Sequence, residues 1–316
     1  MISSNSTHPG GTRERAWAMR AAIATCAVTL LFAPAPAFAD GIQSRGDHVW
    51  LDPEGEPLPF QTFEGIRRAL LDGRVLSREK IGRGIAGAER LELEYEGTHF
   101  RAAFRSTDIT RIAPSAGSIH KPSEYRDSSI FELAAFELSL ILGLQKIPPV
   151  VKREIDGVVG TLQLWLEEST PEDVLIQQGK LRPPNVARWN QQKQVMYVFD
   201  NLIANSDRNQ GNLLIDGSWN LWFIDHTRAF RRTSELLNGD GMVACDRQLW
   251  HRLQEIDPKE MRRRLDPYLE TKELAKLLTR HKKILRTLGK SIQEKGEDAV
   301  LFDLQPPSNA AAEEAP

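Results

Sequence analysis

The order of the predicted elements indicates an α+β fold in two lobes, with a small β-rich lobe first and a larger helical lobe after it. In the first half, residues 81–105 read as a glycine-rich turn followed by two alternating strands, and one helix comes after them. In the second half, from about residue 186, the apolar spacing is mainly helical. The chain has 316 residues, which is enough for one large domain built as two lobes.

Residues 1–39 are predicted to form a signal peptide. Three arginines precede an apolar run over residues 21–32, and Ala37-Phe38-Ala39 has the small-x-small pattern of a cleavage site. The alternative is an uncleaved anchor helix, but the apolar run is short for a membrane span and two prolines follow it. We therefore expect an exported protein, periplasmic or secreted, with no membrane span after cleavage.

Charge and cysteine content limit the partners and the crosslinks. The formal net charge is −2, and loss of the leader, with three arginines and one glutamate, makes the mature chain more negative by two. This mild acidity gives no support for nucleic-acid binding. Cys245 is the only cysteine that remains after cleavage, so no internal disulfide is expected and the apolar core must hold the fold.

Composition and periodicity divide the chain into five parts. The signal peptide is followed by a turn-rich lead-in with a short helix, the β-rich N-lobe, the helical C-lobe and a tail that is expected to be disordered because it lacks apolar periodicity. The boundaries are 1–39, 40–80, 81–168, 169–303 and 304–316.

The N-lobe begins with a glycine-rich turn. Gly82, Gly84 and Gly87 precede a strand at residues 90–95, and its partner strand ends at Arg105. Such a turn can present backbone N–H groups to phosphates, or it can be an ordinary hairpin connection. The glycines alone do not distinguish the two.

One strong amphipathic helix is predicted after this hairpin. Residues 106–127 before it are polar and contain glycine and proline, so they are predicted to be a loop. The helix spans residues 130–144, with Glu132 on the edge of its apolar side. Glu132 is either a solvated first-turn carboxylate, favoured by the helix dipole, or a residue that reaches inward to pair with a cation. Residues 157–168 read as a further strand region.

The C-lobe is predicted to place a polar loop between a helix and a hairpin. Apolar residues at helical spacing lead to residues 205–212, which are too polar and turn-rich to continue the helix. Short strands follow at 213–215 and 220–224, and the second delivers Asp225 at its end. Asp200, on the helix, is expected to face solvent. Further helices are predicted near residues 246–253, 258–265 and 272–295.

Asp207, Asn212 and Asp225 supply the oxygen groups that metal-dependent phosphoryl transfer requires. A divalent cation needs hard oxygen ligands, and a further carboxylate orients or deprotonates the acceptor hydroxyl. Asn212 follows Asp207 by five residues, which matches the D-x-x-x-x-N spacing of a kinase catalytic loop. Each residue alone could serve a turn or a strand end, but the three together at this spacing favour phosphotransfer.

The motif resembles a known branch of the protein-kinase fold. Asp207-Arg208-Asn209-Gln210-Gly211-Asn212, followed by Ile224-Asp225-His226, is similar to the lipid-kinase-like branch. That branch holds phosphatidylinositol 3-/4-kinases, HipA-type bacterial kinases and the secretory-pathway kinases related to Golgi casein kinase. Residues 132–138 and 142–151 also resemble helix C and the following strand of the last group. The resemblance covers roughly residues 80–232.

The resemblance implies roles for individual residues. Asp207 would be the catalytic aspartate, and Asn212 and Asp225 would bind the metal ion that bridges the phosphates. Glu132 would be the helix C glutamate. His226 stands where other kinases have the phenylalanine of Asp-Phe-Gly, which this branch tolerates.

The nucleotide site follows from the same resemblance. Gly82, Gly84 and Gly87 would cover the phosphates of ATP. Residues 163–168, beginning with Gln163, would include the segment between the lobes that contacts adenine. The implied cofactors are ATP with Mg²⁺ or Mn²⁺.

Arg105 departs from the pattern of these kinases, because it stands where they place a phosphate-binding lysine. Arginine is always charged and can fork onto two oxygens, but it is longer and less point-like than lysine. Arg105 could pair with Glu132 and hold the α- and β-phosphates, or it could mark altered nucleotide geometry or lost activity. Lys121 is a possible substitute cation.

The sequence therefore predicts an exported ATP- and metal-dependent phosphotransferase that acts on a protein or small-molecule hydroxyl. Two alternatives remain open on the same scaffold. One is a catalytically silent, exported binding module, and the other is an enzyme that transfers the AMP part of the nucleotide.

Overall fold

The computed structural model describes residues 48–82, 87–113 and 123–304 of the chain. The predicted signal peptide, Gly84, Lys121 and residues 305–316 of the predicted tail lie outside the described residues. Within these ranges the chain forms an α+β fold, in which a region built on a β-sheet precedes a helical region. The predicted fold class is confirmed.

The N-lobe is built on a five-stranded antiparallel sheet. Its strands lie in the order β1 (Arg74–Lys80), β2 (Glu89–Tyr95), β3 (Thr98–Arg105), β7 (Val158–Leu164) and β6 (Val150–Ile155). The alternation predicted for residues 90–95 is present, since Leu91 and Leu93 are buried and lie opposite Ala102 and Phe100. The elements of this lobe are α1 (Phe63–Asp72), β1 (Arg74–Lys80), β2 (Glu89–Tyr95), β3 (Thr98–Arg105), β4 (Asp108–Ala113), β5 (Ser123–Ser128), α2 (Ile130–Ile141), β6 (Val150–Ile155) and β7 (Val158–Leu164).

Helices α1 and α2 pack against β6 and β7 and complete the core of the lobe. Thr62 caps α1, with its hydroxyl oxygen accepting the N–H of Gly65 at 3.1 Å. Phe63 of α1 meets Phe136 of α2 with ring centroids 5.8 Å apart. Each large apolar side chain buried in this way contributes about 1.5–3 kcal/mol. Helix α2 is thus a rigid support for Glu132, which is buried with the apolar side chains around it.

Residues 106–127 are not a loop, as the sequence predicted, but contain the β4–β5 hairpin. The prediction was wrong because the strands lack apolar alternation, and Asp108 on β4 is exposed to solvent. The N–H of Ser128, at the end of β5, donates to the carbonyl oxygen of Thr227 at 2.8 Å. The hairpin is therefore tied to the segment that follows Asp225.

Strand β1 lies in the part of the chain that was predicted to be a lead-in. Its side chains are almost all exposed, so no buried alternation marks it in the sequence. Arg78 on this strand forms ion pairs with Glu89 and Asp156. These contacts stabilise an edge of the sheet that the apolar core does not cover.

The C-lobe contains the predicted helices and the predicted hairpin. Helices α4 (Val186–Ile203) and α7 (Thr271–Lys295) pack together. Strands β8 (Ser169–Pro171), β9 (Leu213–Asp216) and β10 (Leu221–Phe223) form one short sheet, and β11 (Cys245–Asp246) and β12 (Leu301–Phe302) form another. None of the helices in the described ranges is long and apolar enough to cross a lipid bilayer. The elements are β8 (Ser169–Pro171), α3 (Glu172–Gln177), α4 (Val186–Ile203), β9 (Leu213–Asp216), β10 (Leu221–Phe223), β11 (Cys245–Asp246), α5 (Arg247–Glu255), α6 (Pro258–Leu265), α7 (Thr271–Lys295), α8 (Glu297–Val300) and β12 (Leu301–Phe302).

A buried arginine joins α7 to the elements that carry the site. Arg280 donates to the carbonyl oxygens of Leu202, at the end of α4, and of Arg231 and Thr233, beyond Asp225. Burial lowers the pKa of Arg280 to about 10. Because three backbone carbonyls share this cation, the end of α4 and the segment after Asp225 are held at fixed positions on α7.

Candidate active site

The polar loop after α4 is held in shape by its own side chains. Helix α4 ends at a left-handed residue, Ala204, with φ of +50°. Asn205 Oδ1 accepts the N–H of Asp207 at 3.1 Å. Asn212 Nδ2 donates to the carbonyl oxygen of Asp207 at 3.0 Å. The interval between Asp207 and Asn212 is thereby closed into a tight loop.

The hairpin after this loop delivers Asp225 into a cavity. Asp216 at the turn accepts the N–H groups of Ser218 and Asn220 at 3.0 and 2.8 Å. Asp225 follows β10 with φ of +58°, a left-handed conformation that aspartate tolerates better than most residues. The chain turns here, so that Asp225 lines the cavity while the next residue, His226, is fully buried.

The cavity has a volume of about 830 Å³ and is lined by residues of both lobes. This volume lies in the range of cofactor and small-molecule sites. Five of the residues predicted from the sequence line it, namely Arg105, Gln163, Asp207, Asn212 and Asp225. Its apolar wall includes Ile81, Ala88, Ala103, Leu164, Leu214 and Ile224. The structure thus brings polar groups from distant parts of the chain to one apolar-walled space.

Asp207 reaches the cavity with one carboxylate oxygen held by an arginine. Its Oδ2 accepts from Arg228 Nη1 at 2.9 Å, and 34% of its side chain is exposed. Burial raises the pKa of Asp207, the Arg228 cation opposes this, and the negative charge of Asp225 adds to the rise. The pKa of Asp207 is therefore above its ordinary value, which makes it a better proton acceptor than a free aspartate.

Arg105 pairs with Asp225 and not with Glu132. Arg105 Nη1 lies 3.0 Å from Asp225 Oδ2. Burial alone would lower the pKa of Arg105, but the charges of Asp225 and Glu132 outweigh burial and raise it. Of the alternatives that the sequence left open for Arg105, pairing with Glu132 is not the one the structure shows, because each oxygen of Glu132 accepts from another partner.

That partner is His226. Glu132 Oε1 accepts the backbone N–H of His226 at 2.8 Å, and Oε2 lies 2.9 Å from His226 Nδ1. Burial alone would raise the pKa of Glu132, but the hydrogen bonds from His226 and the charge of Arg105 hold it below its ordinary value. Glu132 is therefore not a solvated carboxylate at the start of the helix. It points inward, and the group that it binds is His226.

Arg208 links the loop between Asp207 and Asn212 to this buried pair. It donates to the carbonyl oxygens of Asn212 and Ile224 at 2.7 and 2.8 Å, and its Nη2 lies 3.1 Å from His226 Nε2. Since arginine can only donate, His226 Nε2 accepts and His226 Nδ1 carries the proton toward the glutamate. Arg208 also pairs with Asp200 at 2.9 Å. Asp200 was predicted to face solvent, but it is buried because it neutralises this arginine.

The predicted glycine cover and Gln163 lie at the edge of the cavity. Gly82 and Gly87 flank Ile81 and Ala88, which line it, and the N–H of Ile81 donates to the carbonyl oxygen of Ala88 at 3.0 Å. Gln163 lines the cavity and its Nε2 donates to the carbonyl oxygen of Pro148 at 3.3 Å. Phosphate contact by the glycines and nucleotide contact by Gln163 stay predictions.

The donor atoms at Asn212 and Asp225 fit a divalent cation. One carboxylate and one amide oxygen are the hard ligands that Mg²⁺ and Mn²⁺ prefer, and Thr227 Oγ1 orients Asp225 by donating to its Oδ1 at 3.0 Å. In the described part of the chain, no group of three or more His, Cys, Asp or Glu side chains is placed to hold a metal ion by itself.

Sequence reasoning missed Asp127, Arg208 and Arg228. Arg228 Nε donates to Asp127 Oδ2 at 2.9 Å, across 101 residues of sequence. No local spacing could reveal that contact. Arg208 was a detectable candidate, since it directly follows Asp207 inside the motif, but its role depends on carbonyl positions that only the fold defines.

Solved structures share this fold, among them hydra Fam20 and the Golgi casein kinase. Hydra Fam20, solved with sugar, has a TM-score of 0.57 and 17% identity, over 76% of this chain and 92% of its own. The Golgi casein kinase has a TM-score of 0.54 and 14% identity, over 78% of this chain and 81% of its own. The same kinase with Mn/ADP bound has a TM-score of 0.53 and 14% identity, over 78% and 80%.

Sequence comparison alone finds no relatives. No protein-family model matches the chain, and no curated protein matches it. The structural similarity shows that the chain has the protein-kinase-like fold that its Asp207–Asp225 region predicts. At identities of 14–17% the similarity defines the fold, while the chemistry has to be argued from the residues of the site.

Proposed function

We propose that this protein is an ATP- and metal-dependent phosphotransferase that acts on a hydroxyl group of a protein or small molecule. The observation that carries the proposal is the convergence of Asp207, Asn212 and Asp225 on one cavity, with Arg105 beside them. Phosphoryl transfer depends mainly on positioning and charge neutralisation. This set supplies a proton acceptor, two hard oxygen ligands and a fixed cation.

The apolar wall of the cavity would bind the base of a nucleotide, and the end with Arg105 would bind its phosphates. The wall near Leu164 would take the base, with backbone groups of residues 163–168 as hydrogen-bonding partners. Arg105, together with the turn that carries Gly82, Gly84 and Gly87, would take the phosphates. Asn212 and Asp225 would hold Mg²⁺ or Mn²⁺, which supplies charge neutralisation when bound. The Golgi casein kinase solved with Mn/ADP supports this pairing of ligands.

Asp207 would act on the acceptor. Its Oδ2 is held by Arg228, and its main-chain oxygen is held by Asn212, so the carboxylate has a defined direction at the cavity. A hydroxyl that enters beside it would be oriented by hydrogen bonding and would lose its proton to this carboxylate as the phosphoryl group arrives. Such acid–base assistance contributes about 10²–10⁴-fold in rate.

We also propose that the protein is exported, with residues 1–39 removed as a signal peptide. Cys245, the cysteine that would remain, is buried, and burial raises the pKa of its thiol well above the ordinary range. Such a thiol is inert toward oxidation, which suits an oxidising compartment. N-terminal sequencing of protein recovered from the periplasm and from the medium tests cleavage and location together.

A second candidate, a silent nucleotide-binding module, is favoured by the Arg105–Asp225 ion pair. The guanidinium lies 3.0 Å from Asp225 Oδ2, while Asp225 Oδ1 accepts from Thr227 Oγ1. If the arginine keeps that position, Asp225 cannot serve as a metal ligand. A nucleotide would then bind without transfer.

The test is incubation of purified protein with ATP and Mg²⁺ or Mn²⁺, with the protein itself and a hydroxyl-substrate panel as acceptors. Mass spectrometry of the products distinguishes the addition of a phosphoryl group from the addition of AMP. Phosphoryl addition that Asp207→Asn abolishes supports the proposal. ATP binding without any product, in wild type and in Arg105→Lys alike, supports the silent module.

A further inference from the structure

We propose that Arg228 is a positioning residue for Asp207, and that Asp127 on the β4–β5 hairpin holds Arg228 in place. The inference rests on the proposed function, because it concerns the proton acceptor of that reaction. It assigns a functional purpose to a hairpin and an arginine that the Asp207–Asp225 motif does not contain.

The guanidinium of Arg228 bridges two carboxylates. Its Nε donates to Asp127 Oδ2 at 2.9 Å, and its Nη1 donates to Asp207 Oδ2 at 2.9 Å. A guanidinium is planar and rigid, so two anchored N–H groups fix its plane. The position of the Asp207 carboxylate is therefore coupled to that of Asp127 through one flat group.

The two carboxylates differ in exposure, and this difference indicates which of them is fixed and which is oriented by Arg228. The side chain of Asp127 is 6% exposed, and that of Asp207 is 34% exposed. Asp127 is enclosed by protein and provides the fixed end. Asp207 is reached from the cavity and is the end that has to be oriented. With its Oδ2 bound to Arg228, its Oδ1 is left for an incoming hydroxyl.

The hairpin is itself anchored to the C-lobe at the same place. The N–H of Ser128, next to Asp127, donates to the carbonyl oxygen of Thr227, next to Arg228, at 2.8 Å. Arg126 on β5 donates to Glu270 and Glu273 at the start of α7 at 2.9 and 2.7 Å. The bridge therefore spans two segments that are already in contact, and it adds side-chain direction to a fixed backbone.

The experiment compares Asp127→Asn, Arg228→Gln and Arg228→Lys with Arg126→Gln as the matched control. Arg126 precedes Asp127 on β5 and pairs with α7, but it has no part in the bridge. The readouts are the rate of ADP release from ATP with Mn²⁺, the affinity for ADP with Mn²⁺, and the melting temperature. Asp127→Asn and Arg228→Gln should slow turnover about 10- to 100-fold through misplacement of the reacting carboxylate, with unchanged ADP affinity.

Arg228→Lys separates orientation from charge. Lysine keeps the positive charge but cannot donate from two fixed positions in one plane. Turnover should fall as in Arg228→Gln, whereas Arg126→Gln should lose some stability and keep wild-type turnover.

Three results would overturn the proposal. They are wild-type turnover in Asp127→Asn, full activity in Arg228→Lys, or equal loss of turnover in Arg126→Gln. If wild-type turnover in Asp127→Asn came with weaker ADP affinity in Arg228→Gln, Arg228 would be a phosphate ligand instead of a positioning residue.

A stability cycle keeps the inference distinct from the proposed function. Asp207→Asn, Arg228→Gln and the double variant are melted without nucleotide. If Arg228 holds Asp207, the effects depart from additivity by about 2 °C or more. Absence of turnover in wild-type protein would contradict the proposed function. Additive changes in melting temperature in the two single variants and the double variant would contradict the contact between Arg228 and Asp207.

Discussion

Two sets of charged side chains lie around the loop between Asp207 and Asn212 and differ in exposure. The buried set consists of Glu132, His226, Arg208 and Asp200. The side chains of Glu132, His226 and Arg208 are 2%, 0% and 9% exposed. The contacts in this set run between protein groups, and two of them are to the backbone carbonyls of Asn212 and Ile224. These partners are less exposed than those of the cavity set.

The cavity set consists of Arg105, Asp225, Asp207 and Arg228. Asp225 and Asp207 keep 20% and 34% of their side chains exposed. Their partners are arginine side chains at the same cavity, so a phosphate or a hydroxyl can replace or share each contact. The cavity set is arranged for exchange, and the buried set is arranged to hold the loop.

The pKa shifts separate the sets in the same way. Hydrogen bonds from His226 hold the pKa of Glu132 below its ordinary value despite burial. Burial and the charge of Asp225 hold the pKa of Asp207 above its ordinary value despite Arg228. Folding therefore stabilises the ionised form of Glu132 and disfavours the ionised form of Asp207. We therefore expect the buried set to contribute mainly to stability, and we propose that the cavity set reacts.

Asp207→Asn should produce the largest functional effect. We expect turnover to fall by about 10²–10⁴-fold, since the proton acceptor is lost, while the melting temperature at pH 7 stays equal to wild type or rises. ADP release and thermal melting measure the two effects. Asp173→Asn is the control, because Asp173 lines the same cavity. A lowered melting temperature in Asp207→Asn would contradict this, since it would show that Asp207 serves mainly to stabilise the fold.

Glu132→Ala should produce the largest effect on stability. Two buried N–H groups of His226 would lose their acceptors at about 1–3 kcal/mol each, so we expect a loss of about 3 kcal/mol. Chemical denaturation measures it. Wild-type stability combined with weak ATP binding would contradict this, since it would show that Glu132 serves the nucleotide and not His226.

Arg105→Met should weaken nucleotide binding by about tenfold, the effect of one charge-assisted hydrogen bond. Calorimetric titration of ATP with Mn²⁺ measures it. The control is Arg74→Met in the same sheet, which removes an arginine that pairs with Glu94 and does not line the cavity. Equal affinities in wild type and Arg105→Met would show that Arg105 stays on Asp225 when the nucleotide binds.

The smallest effect is a pH dependence from Glu132. Its pKa is lowered from an ordinary 4.5, so its stabilisation is complete above pH 4.5 and is lost as the pH falls through the folded-state value. Wild type should therefore lose stability in acid more steeply than Glu132→Gln, which has no proton to gain. Parallel curves from pH 7 to pH 3 would show that folding leaves the pKa of Glu132 unshifted.

The elements that could be predicted from the sequence are those that depend on the spacing of nearby residues. The apolar period places α2 and α4, and the interval from Asp207 to Asn212 marks the loop between them. The sequence could not predict which carboxylate Arg105 meets. That choice depends on His226 occupying Glu132, a contact across 94 residues.

The polar hairpin shows the same limit at the level of secondary structure. Strands β4 and β5 are mostly polar in sequence, so apolar periodicity gives no signal there. Their importance comes from Asp127 and Ser128, which contact residues about a hundred positions later in the chain. Contacts of this kind are defined by the fold and not by neighbours in sequence.

The most direct test of the central claim is the melting temperature of wild type and Asp225→Asn as a function of ATP concentration, with and without Mn²⁺. A ligand that binds the native state raises stability by RT ln(1 + [L]/Kd). If Asn212 and Asp225 hold the cation that couples ATP to this cavity, ATP stabilises wild type strongly only when Mn²⁺ is present. Asp225→Asn then loses that metal-dependent increment. A wild-type melting temperature that ATP and Mn²⁺ together leave unchanged would contradict the assignment of the cavity as a nucleotide site.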